Sequence, residues 1–300
     1  MTKRILITGG SGFIARSLYE NLSDRHFFPL ESTVKCLNRQ QLDILDTKAV
    51  HDYLYENNFD VVVHCATYDP VPDFSSKKIS RALETNLKMF FNLARCKNLF
   101  GRMIYFGSGA VFGRDNWYPK MPESFLQKAM PDDPYGLSKY VMAKYAEEVD
   151  NIYNLRVFGL FGKYDDWRYR FISNACCKAV LGEDIIIKQD KRFDYLYIDD
   201  LTRIVNWVIE SNPVERIYNV CSGTPEYYSN LAKHIIGISG KNLNIDIQTS
   251  KVGREYSGDN TLIKAEMKNF SLTPLSRSLR EMYDWYDSHK SIIKKELLVY

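Results

Sequence analysis

KRILITGGSGFIA, residues 3–15, reads as strand, glycine turn and helix start in immediate succession. Lys3 to Thr8 is a short run rich in β-forming apolar residues. After the turn, ARSLYENL carries apolar residues at helical spacing. Such a turn brings unpaired backbone N–H groups and the positive end of a helix to one point, which suits a pyrophosphate. Gly9 allows the tight turn, Gly12 the close approach of the phosphates, and Ala15 the close packing of helix on strand, with Phe13 and Ile14 at the helix start beside them. The plainer alternative is a glycine-rich surface turn. The position directly between strand and helix favours dinucleotide binding.

Farther along, Pro134-Tyr135-Gly136-Leu137-Ser138-Lys139 can put a proton donor beside a fixed cation. In a helix, Tyr135 and Lys139 are four residues apart and share a face. Asp133 suits the N-cap and Pro134 the first helical position. A neighbouring ammonium and a helix N-terminus both favour the phenolate, so the Tyr135 pKa is expected to fall from about 10. By itself this spacing is common in ordinary surface helices.

TGGSGFIA at 8–15 taken with YGLSK at 135–139 resembles the extended short-chain dehydrogenase/reductase family, the nucleotide-sugar epimerases, dehydratases and reductases. The glycine spacing is GxxGxxA, as in that family, not the GxGxxG of other Rossmann dehydrogenases. The similarity runs from Lys3 to about Trp285. It implies an α/β fold: a Rossmann-type doubly wound parallel sheet with a smaller C-terminal α/β lobe. Residues 1–165, with returning strands at about 193–222, would bind NAD(P); residues 166–192 and 223–300 would hold a nucleotide sugar. Strands near 195 and 216 are expected to rejoin the first domain.

Val34 to Leu37 should be the second strand, ending at Asn38 and Arg39. An acid there suits the ribose hydroxyls of NAD, and a basic residue the 2′-phosphate of NADP. The absence of a carboxylate favours NADP(H), with NAD(H) still possible. Arg39 to Asp46 resembles the R-x-x-L-[DN]-[IL]-x-D run of GDP-fucose synthase and dTDP-4-dehydrorhamnose reductase, which implies that Asp43 lies by the adenine. Phe59 to Ala66 reads as a buried strand, and the resemblance sends its end, Ala66 and Thr67, past the cofactor. His64 reads as a core-edge histidine. Residues 77–100 are expected to form one long helix carrying Asn86, which matches the family's Asn, and Met103 to Phe106 a fourth strand.

Ser108 falls on the family's catalytic Ser/Thr, where a hydroxyl can hold a substrate carbonyl for the Tyr135 proton. Family dehydratases carry an Asp-Glu pair directly after this residue, because eliminating water needs an extra acid and base. Gly109 and Ala110 stand there, which disfavours a dehydratase and, similarly, a UDP-glucuronate decarboxylase. Ala110 also replaces the Cys of GDP-fucose synthase, which disfavours 3,5-epimerisation. Leu155 to Gly162 resembles the family's strand exit, with Lys163 in place of the usual Pro. In Lys191 to Asp200, Phe193 stands where the family has Arg, and Arg192 is one position early. Asp199 or Asp200 is expected to cap the following helix. Arg254 matches a late family Arg that meets substrate phosphates.

With 300 residues, 45% of them hydrophobic, the chain can fill one large core or two lobes. A net charge of +3 without a long basic run argues against nucleic acid. No secretory region opens the chain and no long apolar span occurs, so no membrane association is expected. KSIIKK near the C-terminus reads as a solvated helix face. Six scattered cysteines without CxxC spacing fit free thiols in the cytoplasm, and no metal site is expected.

The reading that remains is an enzyme of nucleotide-sugar metabolism, for deoxysugars or a surface polysaccharide such as lipopolysaccharide. NADPH would reduce a nucleotide-linked 4-keto-6-deoxy sugar, with Ser108, Tyr135 and Lys139 catalytic and Ser108, Gly109, Arg192 and Arg254 holding substrate. The helix from Tyr135 would form half of a homodimer's bundle. A 4-epimerase keeping its NAD bound would use the same three residues. A non-catalytic relative would be expected to lose Tyr135 or Lys139.

Overall fold

A computed structural model describes residues 2–23, 32–71 and 75–299. Its first half runs β1 (Lys3–Thr8), α1 (Phe13–Ser23), β2 (Ser32–Leu37), α2 (Thr47–Asn57), β3 (Phe59–His64), α3 (Ala82–Ala94), β4 (Phe100–Ser108), α4 (Pro134–Glu147) and β5 (Ile152–Val157). The chain continues through β6 (Gly159–Phe161), α5 (Phe171–Leu181), β7 (Ile185–Ile187), β8 (Arg192–Phe193), β9 (Tyr195–Tyr197), α6 (Ile198–Glu210) and β10 (Ile217–Val220). It ends with β11 (Glu226–Tyr227), α7 (Tyr228–Ser239), β12 (Ile245–Ile247), α8 (Thr261–Glu266) and α9 (Leu275–Ser288).

Six strands form a parallel sheet in the order β2-β1-β3-β4-β5-β10. Both faces are covered, so its strands read as nearly continuous apolar runs. Ile5 and Ile7 enter the core shared with α1 and α6, and Leu6 enters the opposite core with α2, α3 and α4. Burying one such side chain contributes about 1.5–3 kcal/mol, more than an exposed ion pair does. Strand order reverses between β1 and β3, and a doubly wound sheet binds ligands outside the strand ends at such a point.

A smaller lobe forms where α5, α7 and α9 pack around β7. Several expectations need correction here. The strand at 195–197 pairs with β6 in a two-stranded ribbon and not with the main sheet, whereas Ile217–Val220 lies beside β5. Ile263, with Leu262 and Met267 against it, packs in the core between the sheet and α6, so the lobe does not hold all of 223–300. The long helix expected over 77–100 is only Ala82–Ala94 between 3₁₀ turns, because Phe100 already pairs with Phe59 and starts β4. Neither Asp199 nor Asp200 caps α6; Tyr197 holds that position without a side-chain bond. Asp200 is instead buried and accepts from the Thr273 N–H at 3.0 Å and hydroxyl at 2.8 Å, as a buried carboxylate must find donors. KSIIKK lies past α9 in short turns, with Ile293 buried.

Candidate active site

The crevice is shaped by Gly9. Its φ of +74° lies in the left-handed region, and an added Cβ would stand 2.7 Å from the Ala66 nitrogen and 2.8 Å from its Cα. The turns after β1 and β3 therefore touch backbone to backbone, and only glycine fits. Gly12 N–H donates to Gly9 O at 2.8 Å and Gly10 N–H to Leu37 O at 2.9 Å, which ties the turn to the end of β2. Ile14 packs on the core beneath, and Phe13 starts α1, whose first N–H groups have no partner within the helix. This cradle of backbone donors, kept clear of side chains at a helix N-terminus, fits a dinucleotide pyrophosphate.

Ser108 is the last residue of β4 and Tyr135 the second of α4. Asp133 starts that helix by accepting the Gly136 N–H at 2.8 Å, with Pro134 at the first position. The Ser108 hydroxyl accepts the Ala110 N–H at 3.2 Å and lies near enough to the Tyr135 phenol to favour its ionised form. One turn on, the buried Lys139 donates from Nζ to the Phe106 carbonyl at 2.9 Å, 5.7 Å from the Tyr135 ring centroid. The three candidate catalytic side chains thus meet at the carboxyl end of the sheet.

Their electrostatics differ from the expected ones. Burial pushes the Tyr135 phenol well above its ordinary pKa of 10, and the Asp69 carboxylate pushes the same way; Arg170 and the Ser108 hydroxyl oppose them without prevailing. Lys139 is itself depressed from 10.5 to about 8 by burial. Desolvation outweighs the helix end and the ammonium, so Tyr135 holds its proton at neutral pH. His64 is buried, with Nδ1 2.9 Å from the Thr8 hydroxyl, and burial lowers it to about 3, leaving it neutral.

Asn86 is spent on the protein. Its amide accepts the Tyr68 N–H at 2.7 Å and donates to Tyr68 O at 3.0 Å and the Ser138 hydroxyl at 3.2 Å, with the Thr67 hydroxyl at 3.5 Å. Ser138 in turn donates to Tyr135 O at 2.7 Å. Asn86 therefore fastens the loop after β3 to the helix carrying Tyr135. From the same loop Asp69 pairs with Arg170, at the start of α5, at 3.0 Å.

Toward the edge, Asn38 is a turn residue whose side chain accepts from Gln40 N–H at 2.9 Å and Gln41 N–H at 3.2 Å. Arg39 and Asp43, expected to meet different parts of the cofactor, pair with each other at 3.2 Å on the surface. Arg192 pairs with Glu255 at 2.9 Å and donates to Pro225 O at 3.2 Å, while Arg254 donates to the Asp115 carbonyl. Sequence reasoning passed over Arg114 and Lys191 as site residues, and the Arg114 charge lies near enough to disfavour the protonated form of Lys191. Lys191 lies over Phe193 at 5.3 Å and Tyr228 at 5.4 Å, and burial lowers its pKa. No ion pair joins either to a carboxylate among the described residues. Cations so placed attract an anion, and nothing in their spacing along the chain signals it. Tyr256 was also passed over as a site residue, although its hydroxyl lies against Gly109, 2.5 Å from where a Cβ there would stand.

The sequence profile described as "NAD dependent epimerase/dehydratase family" matches residues 5–221. A dTDP-4-dehydro-6-deoxy-D-allose reductase of Streptomyces sp is 25% identical over 319 aligned residues, covering 96% of this chain and 97% of that protein. A GDP-L-fucose synthetase from Naegleria fowleri bound to NADP superposes with a TM-score of 0.82 at 18% identity, over 98% of this chain and 97% of that one. A UDP-glucose 4-epimerase from Thermotoga maritima with UDP-glucose gives 0.80 at 21%, over 97% and 100%.

Proposed function

This chain belongs to the NAD-dependent epimerase/dehydratase family, and we propose that it reduces a nucleotide-linked 4-keto-6-deoxy sugar with NADPH. The observation that carries this reading is Ser108 at the end of β4 brought together with a protonated Tyr135 in the first turn of α4, with no carboxylate at 109 or 110. NADPH, when bound, would supply the hydride that the carbonyl carbon takes up. Ser108 holds the carbonyl oxygen and Tyr135 gives it a proton; a phenol of raised pKa still protonates an alkoxide, the stronger base. Lys139 would hold the ribose of the nicotinamide, and Gly9, Gly12 and the first turn of α1 would hold the pyrophosphate. Asn38, Arg39 and Asp43 lie where the adenosine half would end, and Arg39 without an acid beside Asn38 suits a 2′-phosphate. The named relatives support the substrate class: the Streptomyces protein is a reductase of a dTDP-linked 4-dehydro-6-deoxy sugar, and the N. fowleri synthetase carries NADP.

Residues 1–165 with about 193–222 would hold the cofactor, and 166–192 with the remainder of the chain outside 260–272 the nucleotide sugar. Arg114, Lys191 and Arg254 would meet its diphosphate, with Arg192 holding Glu255 in place behind them. The product would feed deoxysugar or surface-polysaccharide assembly in the cytoplasm, where the six unpaired cysteines stay reduced, and α4 would form a homodimer bundle. Among the described residues no helix is long and apolar enough to cross a membrane.

The test is to incubate the purified protein with 4-keto-6-deoxy sugars on several nucleotide bases and follow NADPH and NADH absorbance. Consumption of NADPH is the expected result. Interconversion of 4-epimers with no net consumption would replace reduction by epimerisation.

A further inference from the structure

Two segments that carry candidate phosphate cations meet at one side chain of the cofactor sheet. One segment follows Ser108 and carries Arg114, Trp117 and Met121; the other, far along the chain, carries Arg254, Tyr256 and Asp259. They lie side by side. Arg254 donates to the Asp115 carbonyl, the Trp117 and Tyr256 rings are 4.3 Å apart, and Met121 bridges Gly258 in parallel. Around that bridge the Met121 N–H donates to Ser257 O at 3.1 Å and the Asp259 N–H to Met121 O at 2.9 Å. Next to it Lys120 has φ +57°, a left-handed angle that a lysine keeps only where its surroundings hold it. Its N–H is tied to the Ser257 hydroxyl at 2.8 Å.

The clamp is Asn219, fully buried on β10 at the edge of the six-stranded sheet. Its Nδ2 donates to Met121 O at 2.8 Å and to Asp259 O at 3.1 Å, one carbonyl from each segment. Its Oδ1 accepts from Nη1 of Arg156, its register partner on β5, at 3.1 Å. Its backbone N–H donates to Glu123 Oε1 at 2.9 Å. A guanidinium only donates and a carbonyl only accepts, so the amide has one allowed orientation, with both N–H groups spent on the segments. Arg156 is also fully buried, with its Cζ 4.7 Å from the Phe112 ring centroid, so turning the amide away would strand a desolvated cation.

We propose that Asn219 is a positioning residue for substrate binding: by holding the segments of Arg114 and Arg254 to one point of the cofactor sheet, it sets the spacing at which those cations meet the diphosphate of the nucleotide sugar. This rests on the reading of that diphosphate site above.

Asn219→Asp keeps the size and the acceptor for Arg156 but has no N–H for either carbonyl. Nucleoside diphosphates probe the site without catalysis. Calorimetric titration with dTDP, UDP, GDP and CDP should show binding about 10- to 100-fold weaker than wild type for whichever of them the wild type binds. KM for the keto sugar should rise by a similar factor, with kcat and NADPH affinity held within about threefold, because the amide touches neither β4, α4 nor the glycine turn. Asn219→Ser, which removes the same donors without adding a charge, should give the same pattern. In an Arg114→Ala, Arg254→Ala background either change should add less than about twofold, since Asn219 acts through those cations. Leu54→Ala, which opens a cavity under α2, is the control for lost stability: it should lower the melting temperature and leave diphosphate binding unchanged. Unchanged diphosphate affinity in a folded, NADPH-binding Asn219 variant, an equal loss with and without the two arginines, or an equal loss in Leu54→Ala would each overturn the proposal. A wild type that binds none of these diphosphates would overturn the site reading beneath it; a wild type that binds one beside unimpaired Asn219 variants overturns the positioning role alone.

Discussion

Gly9→Ala should cost more than its backbone angle alone demands, and a second glycine makes this measurable. Gly182, the C-cap of α5, has φ +78° and nothing within 4 Å of an added Cβ. Gly9 has φ +74°, but its Cβ would lie 2.7 and 2.8 Å from the Ala66 nitrogen and Cα. Placing an L side chain in the left-handed region costs about 1–2 kcal/mol, a term common to both sites. Ala66 N and Cα are backbone at the end of a buried strand and cannot rotate aside, so overpacking adds about 1–3 kcal/mol at Gly9 alone. Gly182→Ala should then lose about 1–2 kcal/mol and Gly9→Ala about 2–5 kcal/mol. Urea unfolding without nucleotide, followed by the fluorescence of the four tryptophans, measures both. Equal losses would show that the turns after β1 and β3 do not meet as described. NADPH titration adds a second reading, in which only Gly9→Ala should weaken binding.

Tyr135→Phe should lower kcat by about 10²- to 10⁴-fold with NADPH affinity unchanged, as expected for loss of a general acid; retained turnover would remove Tyr135 from the chemistry. Lys139 gives a pH signature. Its pKa is about 8 when folded against 10.5 for the free side chain, so between those values the unfolded chain holds a proton that the folded chain has lost. Stability relative to Lys139→Met should therefore rise with pH from about 8 to 10.5, by at most about 1.4 kcal/mol per unit; parallel unfolding curves for the two proteins would refute the depressed pKa. Arg39→Ala should weaken NADPH binding by about 10-fold and leave NADH binding unchanged, because the 2′-phosphate is its one partner on the cofactor and its exposed pair with Asp43 contributes little. Equal effects on both cofactors would assign Arg39 to its surface pair with Asp43.

Much of the cofactor half is local and could be read from the chain. The strand–turn–helix at 3–15 is fixed by neighbours in sequence: a continuous apolar run in β1, a turn only glycine can make, and a helix start immediately after. Tyr135 and Lys139 share a face because four residues make about one turn. Ser108 came from the family resemblance, and the structure places it at the end of β4. The long helix at 77–100 failed because pairing with β3, a contact distant in sequence, claimed Phe100 for a strand. Asp200 failed as a cap because a buried carboxylate took its donors from Thr273.

What the chain determined by itself is the order of backbone devices that suit a dinucleotide and the spacing that puts a phenol and an ammonium on one helix face, since both depend on covalent neighbours. Only the tertiary structure decided which cations remain unpaired among the described residues, that Tyr256 fills the space beside Gly109, and that Tyr135 keeps its proton. Those outcomes depend on desolvation and on contacts between segments far apart in sequence, and neither residue type nor spacing encodes how much water folding removes.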